Sequence, residues 1–415
     1  MTRPHTVNTT HTAHETTLQP RHPNLARALA LAQANQHLCS PNPSVGCVLL
    51  KDGVIIGEGA TQASTPEYGG AHAEVMALRD AAARGFDATG ATAYVTLEPC
   101  NHTGRTEPCS SALIDAKVGR VVAAMLDPNP RTGGAGMARI AAAGIATYVL
   151  PTDDPFLDAV FALNAGFFKR MVRGTPWLRL KVAASLDGRT ALPNGQSQWI
   201  TNATSRADGH RWRARACAVA TGVGTVLADD PKLNVRHIAT QRQPKRIVFD
   251  SQLRTPLSSQ LLQGSQLLEN AAHTIFVHAA HAPPARIDAL QKRGAQVLQA
   301  GDLQVNLADA LQGLAAMQIN EIHLEAGASL NGAFLAAGLV DEVLLYQAPL
   351  ILGAGYPLAT LPAFDTLAAA PRLQLLETTP MFEGERSGRQ DLRLRFATAH
   401  SFTRLNLPEN LPTHY

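Results

Sequence analysis

Apolar residues along this chain fall into short blocks with two alternating periods. Leu25 to Asn35 is rich in Ala and Leu and predicts a helix. Val45 to Ile56 is apolar on either side of Lys51-Asp52-Gly53, the signature of a hairpin. Ala71 to Arg84 reads as a helix closed by Gly85. Strands are then expected at Ala93–Leu97, Arg120–Met125 and Ile145–Leu150, with helices at Cys109–Lys117 and Met137–Ala143. Strand and helix alternate, which is the pattern of an α/β layered domain. Asp153 to Arg173 is helical and ends at Gly174-Thr175-Pro176, where we place a boundary.

A second α/β pattern opens at Trp177–Ala183. It continues through apolar blocks at 216–219, 246–249, 274–277, 321–324, 342–346 and 392–396. Helical stretches lie between them at 205–215, 286–293, 307–317 and 332–337. No internal repeat is visible, so the halves are different domains. The expected organisation is a tail over 1–22, domains over 23–173 and 174–399, and a C-terminal tail over 400–415. The first 22 residues hold seven Thr and four His without periodicity.

Composition narrows the function classes. With 415 residues, 45% hydrophobic and 17% charged, two or three folded domains are expected. The net charge of +3 and 5% aromatics supply neither a nucleic-acid nor an anionic-membrane surface. Five cysteines are too few and too odd in number for a disulfide scaffold, and no apolar leader precedes them. The charge-free stretch from Val343 to Phe364 carries Pro349, Pro357 and Pro362, which suits two buried strands and a loop rather than a membrane span. A cytoplasmic protein is expected.

The densest chemistry is His72-Ala73-Glu74, then Pro99-Cys100, then Cys109. One imidazole and two thiolates make a catalytic zinc set, three protein ligands with a fourth position open. The zinc-deaminase signature is H-x-E followed by P-C-x-x-C, with the Glu not a ligand. Here the second cysteine follows nine positions after the first. His72 and Glu74 converge only if the metal sits over the first turn of their helix. Two other readings stay open: a closed site with His102 as fourth ligand, and cysteines that pack as small apolar groups.

Longer stretches carry a resemblance. Asn42-Pro43-Ser44-Val45-Gly46, His72-Ala73-Glu74 and the segment from Glu98 to Cys109 resemble the deaminase half of the bifunctional riboflavin-biosynthesis deaminase/reductase family. The long spacing between cysteines is that family's variant. Lys181 to Arg189, Ser197 to Thr201, Gly222 to Pro231 and Glu325-Ala326-Gly327 resemble its reductase half. Asn101 and Glu107 stand where the family pattern has Ser and Pro. The resemblance implies a cytidine-deaminase-like α/β/α domain followed by a dihydrofolate-reductase-like α/β domain. It implies one zinc per chain on His72, Cys100 and Cys109, with Glu74 as proton carrier, and NADPH in the second domain. The implied first substrate is 2,5-diamino-6-(5-phosphoribosylamino)pyrimidin-4(3H)-one, held by Asn42, His102 and Arg105. In the second domain the implied cofactor contacts are Ala183, Trp199, Thr225, Asp229, Ser251 and the run Gly327, Ala328, Ser329, Leu330, Asn331, Gly332, Ala333. The implied substrate contacts there are Lys181, Ser197, Arg213, Leu233, Arg236 and Glu325. A homo-oligomer is also expected.

Read without the resemblance, the second half says less. It has no G-x-G-x-x-G, and the glycine turns at Gly222-Val223-Gly224 and Gly327 are ordinary strand-to-helix connections as readily as phosphate sites. Arg213 and Arg236 are the candidates to grip a phosphate, because guanidinium matches its oxygens two at a time. Trp199 either packs on a nicotinamide or fills core.

Overall fold

The computed structural model describes residues 22–63, 70–102, 107–129, 133–263, 271–384 and 390–407. The expected tail over 1–22 therefore lies outside the described residues, apart from His22. The first half runs α1 (Pro23–Asn35), β1 (Gly46–Lys51), β2 (Val54–Ala60), α2 (Ala73–Ala83), β3 (Thr92–Val95), α3 (Cys109–Asp115), β4 (Arg120–Ala123), α4 (Ala135–Ala142), β5 (Ala146–Val149) and α5 (Phe156–Arg173). The hairpin turns at Asp52 and Gly53, both with positive φ, where glycine is unstrained. The sheet order is β2-β1-β3-β4-β5, antiparallel through β3 and parallel beyond it. Buried side chains from all five helices close one core over this sheet, among them Leu25, Ala77, Leu113, Ile140 and Phe168.

The second half runs β6 (Trp177–Ala184), β7 (Arg189–Ala191), α6 (Ala203–Arg215), β8 (Ala218–Gly222), α7 (Val223–Asp229), β9 (Lys245–Phe249), β10 (Thr274–His278), α8 (Pro284–Lys292), β11 (Gln296–Gln299), α9 (Leu307–Ala316), β12 (Glu321–Leu324), α10 (Ala328–Ala336), β13 (Glu342–Gln347), β14 (Tyr356–Pro357), β15 (Leu373–Phe382) and β16 (Gln390–Thr398). Nine strands form one sheet in the order β11-β10-β9-β8-β12-β6-β13-β16-β15, parallel from β11 to β13 and antiparallel after it. Because side chains alternate across a strand, the sheet serves two cores. Ala218, Ala220, Ile275 and Val277 face one, while Val219 and Phe276 face the other. The same alternation in β6 and β12 sets Leu178, Leu180, Ile322 and Leu324 in the first core. It turns Arg179, Lys181, Glu321 and His323 to the opposite face, so that face is polar at the middle of the sheet.

Three expectations change. Val343 to Phe364 supplies one buried strand, β13, not two. Beyond it Ile351 is exposed outside any strand, and Tyr356 is exposed on β14, which pairs with β7 outside the large sheet. The helix expected at 332–337 begins four residues earlier, at Ala328. The segment expected as a C-terminal tail returns, over residues 400–407, to the first half. There Phe402 is buried against Phe161 at 5.8 Å between ring centroids. Arg404 Nε donates to Asp158 at 2.8 Å.

The halves are also tied directly. Lys169 Nζ lies 2.6 Å from Asp341 Oδ2, Asn320 Nδ2 donates to Pro41 O at 2.7 Å, and Arg242 Nε donates to His37 O at 2.8 Å. No helix among the described residues is long and apolar enough to cross a membrane.

Candidate active sites

The first site is placed by close backbone packing. α2 lies on β2 at Gly57 and Gly59, where an added Cβ would come within 2.3 Å and 2.2 Å of the carbonyl oxygens of Ala77 and Ala73. His72 is the extended residue that caps α2, and Glu74 falls in its first turn. Cys109 opens α3 after Pro108, and its backbone N–H donates to Cys100 Sγ at 3.3 Å. The turn before Cys100 is held by Glu98. Its buried carboxylate accepts the N–H groups of Asp127, Gly134, Gly136 and Met137 at 2.8–3.1 Å.

His72, Cys100 and Cys109 thus meet, with their donor atoms all within 4.8 Å of one another. His72 Nδ1 is 3.2 Å from Cys109 Sγ and 3.4 Å from Cys100 Sγ. A tetrahedral zinc with bonds of about 2.0–2.3 Å has ligand-to-ligand edges of roughly 3.3–3.8 Å, so spacing and donor chemistry both fit. His102 does not join the group, so among the described residues three donors meet rather than a closed four. Glu74 is buried beside them. Burial raises its carboxyl to about 7, and the Cys100 charge adds to the rise. Hydrogen bonds from Cys109 and His72 lower the Cys100 thiol, although burial opposes them.

Asn42 lines a small cleft of about 40 Å³ between the halves, together with Ser40, Asn164, Cys217 and Asn320. His102 is exposed, and Arg105 lies outside the described residues. The Asn101 carboxamide oxygen accepts from Ser110 and Arg139, so it ties the ligand loop to α3 and α4.

The second site is a cleft of about 290 Å³ over the polar middle of the large sheet. Lys181 comes from β6, Glu325 from the end of β12, Tyr346 from β13, and Arg206, His210 and Arg213 from one face of α6. Arg236 and Trp199 complete it. Arg213 and Arg236 therefore share one cleft, but their side chains differ. Arg213 spends its fork on Glu325, with Nη2 to Oε2 at 3.0 Å, and gives Nη1 to Asn234 O at 2.9 Å. Among the described residues the Arg236 guanidinium makes one hydrogen bond, to Asn234 Oδ1 at 3.2 Å. Burial works against the Glu325 charge, yet Arg213 and Lys181 hold its carboxyl well below the usual range. His210 Nδ1 accepts the Arg236 N–H at 3.2 Å. Burial, then the charges of Arg213 and Arg236, push His210 down to about 3, so it is neutral.

Trp199 is 60% exposed with the Arg206 guanidinium 4.5 Å above its ring, so it does not fill core. Ser197 is exposed in the same segment, and Ala183 lies on β6. Thr225 and Asp229 sit on α7, and Ser251 Oγ accepts the Val305 N–H. Gly327 caps α10, which carries Ala328, Ser329, Leu330 and Ala333. Two of the expected cofactor residues also make contacts within the fold: the Asn331 Nδ2 donates to Leu358 O at 2.8 Å, and Gly332 packs on Thr360 O, where a Cβ would come within 1.8 Å. The Leu233 side chain lies in core, so only its backbone is left for a ligand. The sequence reading missed Thr201, Ser205, Arg206, Gly209, His210, His237 and Tyr346 as lining residues. The signal for three of them was present, since Arg206, Gly209 and His210 recur with Arg213 at helical spacing.

Comparison with known proteins agrees with both halves. Residues 21–125 match the cytidine and deoxycytidylate deaminase zinc-binding region, and residues 176–384 match the RibD C-terminal domain. The riboflavin biosynthesis protein RibD of Escherichia coli is 43% identical over 85% of this chain and 94% of its own length. This chain belongs to the RibD family. The RibD of Haemophilus influenzae is 40% identical over 85% of this chain and 92% of its own. Among solved structures, Acinetobacter baumannii RibD superposes with a TM-score of 0.77 at 39% identity, over 90% of this chain and 98% of that one. The diaminohydroxyphosphoribosylaminopyrimidine deaminase/5-amino-6-(5-phosphoribosylamino)uracil reductase of Thermotoga maritima gives 0.72 at 28% identity, over 91% and 98%. The chain is thus a bifunctional enzyme of riboflavin biosynthesis, a zinc-dependent deaminase joined to an NADPH-dependent reductase.

Proposed function

We propose that the first site deaminates 2,5-diamino-6-(5-phosphoribosylamino)pyrimidin-4(3H)-one, and that the second reduces the ribosyl group of 5-amino-6-(5-phosphoribosylamino)uracil to ribityl. The observation that carries the first step is the buried Glu74 carboxylate in the same turn as His72, beside both cysteines. His72, Cys100 and Cys109 would hold the zinc, which when bound would lower the pKa of a water towards neutrality. Glu74 accepts a proton from the incoming water and passes it towards the ring nitrogen and the departing ammonia. Burial keeps its carboxyl near neutrality, where it can do both.

In the second site Arg236 grips the 5′-phosphate, because Arg213 is already forked onto Glu325. Neutral His210 gives its Nδ1 to the Arg236 backbone, so Nε2 carries the hydrogen and serves as a donor in the cleft. Trp199 covers the nicotinamide end from the rim. Lys181 is the cation nearest the Glu325 carboxylate besides Arg213, at 3.4 Å, which supports it as a proton source at the sugar carbon. The test is incubation of the purified chain with the diaminopyrimidine nucleotide. Ammonia should appear without NADPH, and NADPH should be consumed only after it.

The enzyme acts in the cytoplasm as a homo-oligomer, and all five cysteines are free, in keeping with a reducing compartment. The edge strand β15 supports a second copy as the partner, since Leu373, Leu375 and Leu376 are exposed along it. Light scattering of the intact chain, and of Leu375→Glu, tests this: a wild-type mass of one chain would remove the reading.

A further inference from the structure

α6 is polar on every side. Its sequence, Ala-Thr-Ser-Arg-Ala-Asp-Gly-His-Arg-Trp-Arg-Ala-Arg, has no apolar stripe, although Ser205, Asp208 and His210 are buried. A helix inside a globular enzyme normally turns an apolar face to the core. One polar face is explained by the reductase cleft, which takes Ser205, Arg206, Gly209, His210 and Arg213. The other face, Asp208, Arg211, Trp212 and Arg215, lines a second cleft of about 300 Å³. That cleft is as large as the reductase cleft and is closed on its far side by Gln33, Gln36 and His37, at the end of α1. It thus lies between the two domains, on the other face of α6 from the reductase cleft.

Its charge is one-sided. Arg211, Arg215 and Arg393 line it against the single carboxylate of Asp208. Burial and then Arg242 lower His37, which is therefore neutral. The carboxylates behind the cleft do not reverse the sign. Five guanidiniums, of Arg179, Arg211, Arg215, Arg393 and Arg395, face the four acids Asp208, Glu321, Glu342 and Glu377. Four of these guanidiniums crowd the Trp212 indole, with carbons 4.3 Å (Arg179), 5.1 Å (Arg395), 5.5 Å (Arg215) and 5.9 Å (Arg393) from its centroid. The indole holds them in place, so little side-chain entropy remains to be lost when an anion arrives. The Arg393 Nε makes no hydrogen bond among the described residues. Arg211 is the most available cation: its side chain is 68% exposed, and its one ion pair among the described residues is a long one to Asp208 at 3.7 Å.

We propose that this cleft is an anion site separate from both active sites, and that it takes a small phosphate-bearing molecule between α1 and α6. The fork of a guanidinium matches phosphate oxygens, and the exposed amide of Gln33 offers a further donor from the opposite wall, where Gln36 Nε2 already donates to Leu163 O at 2.8 Å. Arg215 makes the site sensitive to domain placement, because the same side chain donates to Ala162 O of the first domain at 2.9 Å and to Glu321 of the second.

The test is calorimetric titration of the full-length, NADPH-saturated protein with inorganic pyrophosphate and, in a second arm, with adenosine 5′-monophosphate. Tighter binding of one arm identifies the free or the nucleotide-borne phosphate as the ligand type. Arg211→Glu and Gln33→Glu change exposed side chains on opposite walls and should each weaken binding about tenfold or more, a loss typical of one charge-assisted contact. Arg236→Gln should bind normally, since it alters only the reductase cleft. Binding that is lost in Arg236→Gln and kept in the other two variants would overturn the proposal. So would a heat signal that sodium chloride of equal ionic strength abolishes in the wild type.

Discussion

The zinc triad and the reductase cleft are built at different scales. The triad draws its three proposed ligands and the proposed proton carrier from 38 consecutive positions, His72 to Cys109, and fixes them with two helix starts and one turn. The cleft draws on β6, α6, β12, β13 and the loop at Arg236, and its central contact, Arg213 on Glu325, spans 112 positions. A small metal needs a few donors at short range, and local structure can supply them. A cofactor and a phosphosugar need a surface tens of atoms wide, which only tertiary packing over a parallel sheet provides. The first site concentrates its function in single atoms, whereas the second spreads it over an ion network.

This contrast can be broken most sharply by Glu74→Gln. Zinc content and NADPH-dependent reduction should stay at wild-type levels, while ammonia release falls about 10²–10⁴-fold. Cys109→Ala should lose zinc itself; metal analysis that finds one zinc per chain in it would dissolve the ligand assignment.

The next effect belongs to the second domain alone. Glu342, between Arg179 and Arg395, has its carboxyl lowered to about 2, and Glu321 and Glu325 are also lowered by their guanidinium neighbours. Carboxyls depressed in the folded state stabilise it fully above their ordinary value near 4.5, and that contribution is lost as the pH falls towards 2. For Glu342 the amount is on the order of 3 kcal/mol. All three tryptophans, Trp177, Trp199 and Trp212, lie in this half. Their fluorescence should therefore report unfolding between about pH 4.5 and pH 2. In Glu342→Gln the acid transition should be shallower. An unchanged transition would mean the buried network does not govern acid stability.

Arg236→Ala should raise the KM of the deaminated substrate about 10- to 150-fold, the loss of one charge-assisted phosphate contact of about 1.5–3 kcal/mol. Steady-state kinetics with Arg213→Ala beside it separates the two arginines. Arg213→Ala uncovers the Glu325 carboxylate and should lower kcat and thermal stability as well as affinity. Identical profiles would put both guanidiniums on the phosphate.

The smallest effect crosses between the regions. Asn320 of the second domain holds Pro41 O, next to Asn42. Asn320→Ala should raise the deaminase KM only a few-fold, in line with one neutral hydrogen bond worth about 1 kcal/mol. No change in KM would show that the first site does not feel this tie.

The legibility of the chain follows the same division. His72, Glu74, Cys100 and Cys109 could be read because local spacing alone brings them near each other. The Asp52-Gly53 turn and most core strands were equally readable, since their periods and breakers are contiguous in sequence. β15 was not. It is an edge strand with exposed leucines and Pro380 within it, so neither burial nor a complete ladder marks it. The seven-residue α7 was too short to show a period. His210 and Arg206 stood at readable spacing on α6, yet nothing local reveals that a helix polar on all sides separates two clefts. That property belongs to the sheet beneath it, where Arg179 and Lys181 point to the same side as Glu321 and His323.

Glu98 has a consequence for how metal and chain depend on each other. Four backbone N–H groups from the stretch 127–137 converge on its carboxylate, two residues before Cys100. The turn that presents the first thiolate is therefore ordered by peptide hydrogen bonds, without help from the ion. In zinc fingers the opposite holds: the chain is unfolded until metal arrives, and coordination free energy is folding free energy. Here the conformational entropy of the turn is lost when the domain folds. Chelation should thus remove activity but leave a folded receptor, and zinc added back should restore it at the rate of ligand exchange rather than of refolding.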